Sequence, residues 1–179
     1  AQKFFEIIRE FPSDEICINE VENRWIEIGN KNVQYHIVGM NPDDFPDSPL
    51  LEDIAFFDID SYAFKKMIEK TVMVGGTLDD KRAHINGIFF EKIAEQDHKI
   101  IRMVSTDGSR LATVDYEIPE DMDIAMESAM IIPKKGLNEV SKFLASDGTV
   151  QIGFKDNHFV VKKDRETIII RLLEGEFPE

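Results

Sequence analysis

The sequence predicts an α+β fold assembled from repeated helix-plus-antiparallel-strand units, with the helices on one face of the sheets. Three observations carry this prediction. Stretches with apolar residues at helical spacing alternate with groups of short strand-like segments. Turn residues punctuate those segments at short intervals, as a chain of hairpins requires. The first and last segments of the chain also match one another in pattern.

In order, "KFFEIIREF" sets Phe4, Ile7, Ile8 and Phe11 on one helical face and is ended by Pro12. "EICINEVENRWIEIGNKNVQYHIVGM" reads as three short strands, turned at Glu22–Asn23 and at Gly29–Asn30–Lys31. "NPDDFPDSP" carries three prolines in nine residues and is a connector, unable to hold a helix or a central strand. "IAFFDI" is a strand and "DSYAFKKMIEKT" a helix, capped by Asp60 or Ser61, with Phe64, Met67, Ile68 and Thr71 facing inward. "HINGIFFEKI", "KIIRMVST", "RLATVDYEI" and "SAMIIP" follow as strands. The helix "KKGLNEVSKFLAS" buries Leu137, Val140 and Leu144, and the strands "TVQIGFKDN", "HFVVKKD" and "TIIIRLLEG" close the chain.

Laid side by side, "ENRWIEIGNKNVQYHIVG" aligns with "DNHFVVKKDRETIIIRLL", so Trp25 answers Phe159 and Asn23 answers Asn157. Past a two-residue insertion, "DFPD" answers "EFPE". Each copy is a helix, then strands, then an acidic-Phe-Pro ending, and each is expected to bury its helix on its own sheet. The copies around 56–118 and 128–179 make one two-helix domain, and the copy at 1–49 reads as half of another. With no Met at its start, the chain is expected to be a piece of a longer protein.

The formal net charge of −14 argues against wrapping nucleic acid unless the cations are segregated. They are segregated on the helices. Lys65, Lys66 and Lys70 face only Glu69 in one, and Lys134, Lys135 and Lys142 face only Glu139 in the other. Most lie off the buried stripe, as a solvated face or as a basic face toward a polyanion. No apolar run approaches the ~20 residues that span a bilayer, so no membrane partner is expected. A single cysteine, Cys17, excludes an internal disulfide framework and fits a reducing cytoplasm, the expected location.

"STDGSRLA" gathers Thr106, Asp107, Gly108, Ser109 and Arg110 and resembles an active site at first sight. There is no G-x-S-x-G elbow, no partner spaced to Ser109 and no helix directly after Gly108. A strand–turn–strand at Asp107–Gly108 is the favoured reading, and a hydrolase centred on Ser109 the disfavoured one. His36, His84, His98 and His158 are scattered singly, so neither a metal site nor a cofactor is expected. "VGGTLDDKR" is a glycine-bearing loop that could offer Lys81 and Arg82 to nucleic acid. The residues point to a non-enzymatic interaction protein.

With "RAHINGIFFE", "MIIPKKGLNEVSKFL" and "RLLEGEFPE", the "STDGSRLA" turn resembles the bacterial sliding-clamp family, the beta subunit of DNA polymerase III. The family wording is a T-D-G-H-R-L-A turn, an L-N-G strand, a V-P-[KR]-K helix start and an ending of the form G-x-[FY]-P-[DE]. The K-F-F helix and D-F-P connector extend the likeness over nearly the whole chain.

The resemblance implies a DNA clamp fold. Residues 1–49 would be the C-terminal half of the clamp's N-terminal domain, 50–55 a linker and 56–179 a nearly complete central domain, with the C-terminal domain absent. It implies a homodimeric ring that encircles double-stranded DNA without sequence readout and tethers the replicative polymerase. Lys65, Lys66, Lys70, Lys134, Lys135 and Lys142 would then face DNA.

Polymerase, clamp loader and repair proteins would dock short motifs in a hydrophobic cleft walled by Arg82, Ile85, Thr106, Gly108, Ser109, Arg110, Leu111 and Pro178. Lys3, Tyr35 and Ile37 would belong to the ring-closing contact. Ser109 stands where the family commonly has histidine. Asp79, Ala83 and His84 stand where clamps can place aromatic or polar residues against DNA. A peptide-binding domain with no DNA role is the alternative from another class.

Overall fold

The computed structural model describes residues 2–47, 52–74, 83–95, 98–120, 122–126, 128–144 and 147–177. The chain divides into two compact units, Ala1–Leu50 and Leu51–Glu179. The loop expected at 74–84 falls largely outside the described residues, as do Lys81, Arg82 and Pro178.

In the first unit, α1 (Gln2–Arg9) precedes β1 (Cys17–Glu20), β2 (Trp25–Gly29) and β3 (Gln34–Val38), paired antiparallel in that order. Turn chemistry fixes the hairpins. Asn23 and Arg24 take left-handed backbone angles, φ 58° and 61°, between β1 and β2. Between β2 and β3 the Asn30 side chain accepts from the N–H groups of Asn32 and Val33 at 2.9 and 3.0 Å. No residue of α1 is buried, and among the unit's described side chains Ile28 is the one fully enclosed hydrophobe.

The second unit runs β4 (Phe56–Asp60), α2 (Ser61–Val72), β5 (Gly87–Glu95), β6 (His98–Thr106), β7 (Leu111–Glu117), β8 (Met130–Pro133), α3 (Lys134–Phe143), β9 (Thr149–Lys155), β10 (His158–Lys163) and β11 (Glu166–Arg171). Both helices follow their strand without a loop. Asp60 caps α2 by accepting from the Ala63 N–H at 2.7 Å. Pro133 sits at the start of α3, where its missing N–H costs no helical bond.

The sheets differ from the expectation that each copy is self-contained. Their orders are β11-β10-β9-β4 and β7-β6-β5-β8. Each copy supplies three strands to its own sheet and lends its first strand, β4 or β8, to the sheet of the other. The two copies are interlocked, because each three-stranded sheet gains its fourth strand from its partner. The sheets meet where the Leu173 N–H donates to the Ile131 carbonyl at 2.9 Å.

The repeat also needs one correction of register. β2 and β3 close on Gly29↔Gln34 and β10 and β11 on Lys163↔Glu166, so the loops hold four and two residues. The two-residue insertion therefore lies inside the hairpin turn, not after the second strand. A turn absorbs extra residues without disturbing pairing, whereas a strand cannot.

One core joins both helices to both sheets. Phe64, Met67, Ile68 and Thr71 of α2 are buried as the helical spacing predicts, as are Leu137, Val140 and Leu144. At the centre Phe64 meets Phe159 edge-on at 6.4 Å, while Phe154 lies 5.3 Å from Phe159 and 5.6 Å from Phe90.

Candidate functional site

β6 and β7 end in register at Thr106↔Leu111, leaving residues 107–110 as a four-residue loop. Asp107 organises it. Its Oδ1 accepts from the Ser109 N–H at 3.0 Å, the Ser109 hydroxyl at 2.8 Å and the Arg110 N–H at 3.1 Å. Its Oδ2 accepts from Arg110 Nε at 2.8 Å. These donors, those of Ser109 first and then the Arg110 guanidinium, hold the carboxyl well below the usual carboxylate range.

Thr106 completes the loop, its hydroxyl accepting from the Gly108 N–H at 3.0 Å and donating to the Arg110 carbonyl at 2.8 Å. Gly108 is needed for its φ of +87° and not for lack of space, since nothing lies within 4 Å of where a Cβ would stand. Inside the sheet, the buried Ser105 hydroxyl donates to the Thr71 carbonyl at 2.6 Å and ties the loop's base to α2.

The loop's polar groups are thus spent on one another. The Ser109 hydroxyl donates to a carboxylate whose proton affinity is depressed, and such a group is a poor general base. What the loop presents is shape. Leu111 is 62% exposed, while Ile85 is buried at 2% exposed and offers little surface of its own. No group of His, Cys, Asp and Glu able to hold a metal occurs among the described residues. No described helix is long and apolar enough to cross a membrane.

The six helix lysines divide into different situations. Lys65 donates to the Leu144 carbonyl at 3.2 Å, satisfying the C-terminal end of α3 from the neighbouring helix. Lys66 pairs with Glu69 at 2.7 Å, which raises its pKa, and lies 5.5 Å over the Tyr62 ring. Lys142 pairs with Glu139 at 2.8 Å. Lys70 and Lys135 are exposed. Lys134 is pulled below the ordinary lysine value by burial and then by the Arg110 charge, against the opposing pull of Asp107. The first turn of α3 and the 107–110 loop therefore share one electrostatic neighbourhood.

In the first unit, Lys3 is exposed, Tyr35 is 40% exposed and packs edge-on to Phe11 at 6.3 Å, and Ile37 is half-buried. Sequence reasoning missed the parts played by Ser105, Lys65 and Asp107. The Asp-x-Ser-Arg spacing after a strand carried the signal for the last of these, since an aspartate can cap the amides two and three residues on.

Residues 58–179 match the family model described as the DNA polymerase III beta subunit, central domain. The chain belongs to the DNA polymerase III beta-subunit family. It is 29% identical over 179 residues to the beta sliding clamp of Halalkalibacterium halodurans, covering 99% of this chain and 46% of that protein. It is 26% identical to the beta sliding clamp of Chlamydia pneumoniae, covering 100% and 47%.

Among solved structures, the putative DNA polymerase III beta subunit from Eubacterium rectale superposes with a TM-score of 0.82 at 27% identity, over 99% of this chain and 47% of that one. The DNA polymerase sliding clamp from Bacillus subtilis gives 0.81 at 26%, over 99% and 45%. This beta-subunit chain spans about half the length of the curated relatives it matches. Its mixed helix and antiparallel-sheet architecture is that of the sliding-clamp structures.

Proposed function

We propose that this chain works as part of a ring-shaped DNA clamp, a replication processivity factor that encircles duplex DNA and tethers a polymerase. In this reading residues 1–49 are the latter half of the clamp's N-terminal domain, 50–55 a linker and 56–179 the central domain. The observation that carries the reading is the beta-subunit match over 58–179, because it holds both lysine-bearing helices and the T-D-G loop.

The outward lysines of α2 and α3 serve as loose, sequence-independent contacts to phosphate. Lys70 and Lys135 lead among them, since neither takes an ion pair among the described residues. The loop serves as one wall of a docking cleft for short partner motifs, with Leu111 supplying apolar area and Arg110 a planar cationic edge. Arg82 and Pro178 are assigned to the same wall, and Lys3, Tyr35 and Ile37 to ring closure between two copies of the full-length protein. No bond is made or broken.

The test is an amide NMR titration of the chain with a short peptide carrying glutamine and leucine–phenylalanine anchors. Shifts centred on Gly108 to Leu111 and Ile85 support the docking reading. Unmoved amides there, with a full-length clamp binding the same peptide, would remove it. DNA association that keeps its salt dependence after Lys70 and Lys135 are neutralised would remove the DNA-facing assignment.

A further inference from the structure

A second concave surface lies on the sheet face away from the helices. Along β5 the side chains of Ile88 and Phe90 enter the core, so Phe89 points to the opposite face. There the Phe177 ring stacks on it, centroids 5.0 Å apart and planes 25° off parallel. A cavity of about 430 Å³ opens beside this pair, floored by Phe89, Phe177, Ile131 and Leu173. It shares Ser128, Met130 and Asp156 with an adjoining cavity of about 530 Å³ that continues to Phe154 and Lys92. The first cavity is a trough between β8 and the β9–β10 turn. The second adjoins it around the β8 edge, on the other face, because Lys92 pairs with the buried Ile101 and so lies on the side of Ile88 and Phe90.

The trough has an open strand edge. β8 pairs with β5 on one side, but on the other it is held by the single Ile131–Leu173 bridge. Ala129 immediately precedes β8, and carrying the strand's alternation back by that one residue turns its N–H and C=O to the side of those of Ile131, toward the trough. Ala129 is exposed and makes no hydrogen bond to a described residue. Backbone groups in this position are a template for strand addition.

The charges around it choose the occupant. Asp156, Glu174 and Glu176 are exposed at the Phe177 end, where Arg171 approaches Glu174 at only 4.0 Å. In the adjoining cavity the cations are spent. Lys92 donates to the Ile124 carbonyl at 2.6 Å and lies 3.5 Å from Asp123, and Lys155 donates to the Glu52 carbonyl. The field of the trough is therefore acidic over an aromatic floor.

We propose that this trough docks an extended, basic peptide segment of a partner protein, added as a strand on Ala129. An apolar side chain of the segment covers Phe89 and Phe177, and a lysine or arginine meets Glu174 and Glu176. The trough takes no side chain from the T-D-G loop at the end of β6, although its Phe177 directly precedes Pro178, the residue assigned above to that loop's docking wall.

The probe is a capped peptide of alternating valine and lysine, titrated into the 179-residue chain and followed by amide NMR. The expected result is saturable shifts at Ala129, Met130, Leu173 and Gly175 at millimolar peptide, weakened by added salt. Ala129→Pro removes the donor and should weaken binding about tenfold or more. Glu174→Lys with Glu176→Lys should do the same without touching the backbone, which keeps the test decisive if the proline variant misfolds. Equal shifts from the peptide with glutamate in place of lysine overturn the proposal, as do undiminished shifts in the charge-reversed variant. Concentration-dependent shifts of the same amides without peptide overturn it too, because the occupant is then a second copy of the chain.

Discussion

The two units carry the same pattern of helix, strands and acidic-Phe-Pro ending, yet only one of them has a core. Trp25 and Phe159 answer each other in sequence, but Trp25 is 42% exposed and Phe159 fully buried. Phe45 and Phe177 answer each other too. Phe45 is 79% exposed, whereas Phe177 lies stacked on Phe89 of the other copy's sheet. The difference is the partner copy. In the second unit each three-stranded sheet receives a fourth strand from the other half, and the Phe177 ending receives a floor from it. In the first unit β1-β2-β3 stands as a three-stranded sheet with no second sheet among its described residues. A half-unit specifies local structure, but two halves are needed to exclude water from it.

The largest effect separates the units by stability. Phe159→Ala empties the centre of the aromatic cluster and should cost about 3–5 kcal/mol, while Trp25→Ala should cost less than about 1 kcal/mol. Urea melts followed by circular dichroism measure both. Trp25 is the sole tryptophan, so its fluorescence reports the first unit alone. We expect that fluorescence transition at lower urea than the circular-dichroism transition of the second unit. Coincident transitions would erase the contrast between the units.

Most of the fold was legible in the sequence because its signals are local. The Phe64–Met67–Ile68–Thr71 spacing, the Asp60 cap and the Asp107–Gly108 turn are written within a few residues of where they act. The strand exchange was not legible, because β4 and β8 look alike in pattern and nothing local says which sheet receives them. The position of the two-residue insertion was hidden for a related reason. A gapless alignment satisfies the alternating pattern of both strands, since a shift of two residues keeps every side chain on its face. At the candidate site the residue types of the loop were legible, but the fate of each lysine was not. Lys65 finds its acceptor at Leu144, far along the chain, and no spacing rule reaches that far.

The seam between sheets gives the next comparison. A Cβ on Gly87 would collide with Ile131 Cγ2 and press on Leu173, the pair that joins the two sheets. Gly87→Ala should therefore destabilise the second unit by about 1–3 kcal/mol and loosen the Leu173 amide in hydrogen exchange. Gly108→Ala meets no atom and pays only for its left-handed backbone, about 1 kcal/mol. If Gly87→Ala proves the milder of the two, the sheets are joined less tightly than the bridge implies.

Helix ends sharpen the same contrast. Lys65→Met removes the cross-helix donor from the Leu144 carbonyl and should cost about 1 kcal/mol. Arg9 at the end of α1 pairs with its exposed neighbour Glu10 at 3.0 Å and lies 5.7 Å over the exposed Phe5 ring, both in solvent, so Arg9→Met should change stability by less than about 0.5 kcal/mol. Thermal melts that rank these two the other way would show that α3 does not depend on α2 for its C-terminal bond.

The smallest effect is read by pH, and it compares two four-residue loops built with the same device. Asn30 caps residues 30–33 with a neutral amide oxygen, and Asp107 caps 107–110 with a carboxylate. The carboxyl of Asp107 has a lower pKa folded than unfolded, so its contribution is present above about pH 4 and is lost as pH falls through the depressed folded value. The Ser109 and Arg110 amide shifts should therefore stay flat from neutral pH down through the ordinary carboxylate range and move only at stronger acid. The Asn32 and Val33 amides have no charge to lose at their cap and should not follow. Asp107→Asn keeps an oxygen toward the Ser109 and Arg110 amides but gives up the ion pair, so its loop should lose the acid response and behave like that of Asn30. A Ser109 amide titrating with a midpoint near pH 4 would mean that the carboxylate is not held by these donors. The 107–110 surface would then lack the rigidity that a docking wall requires.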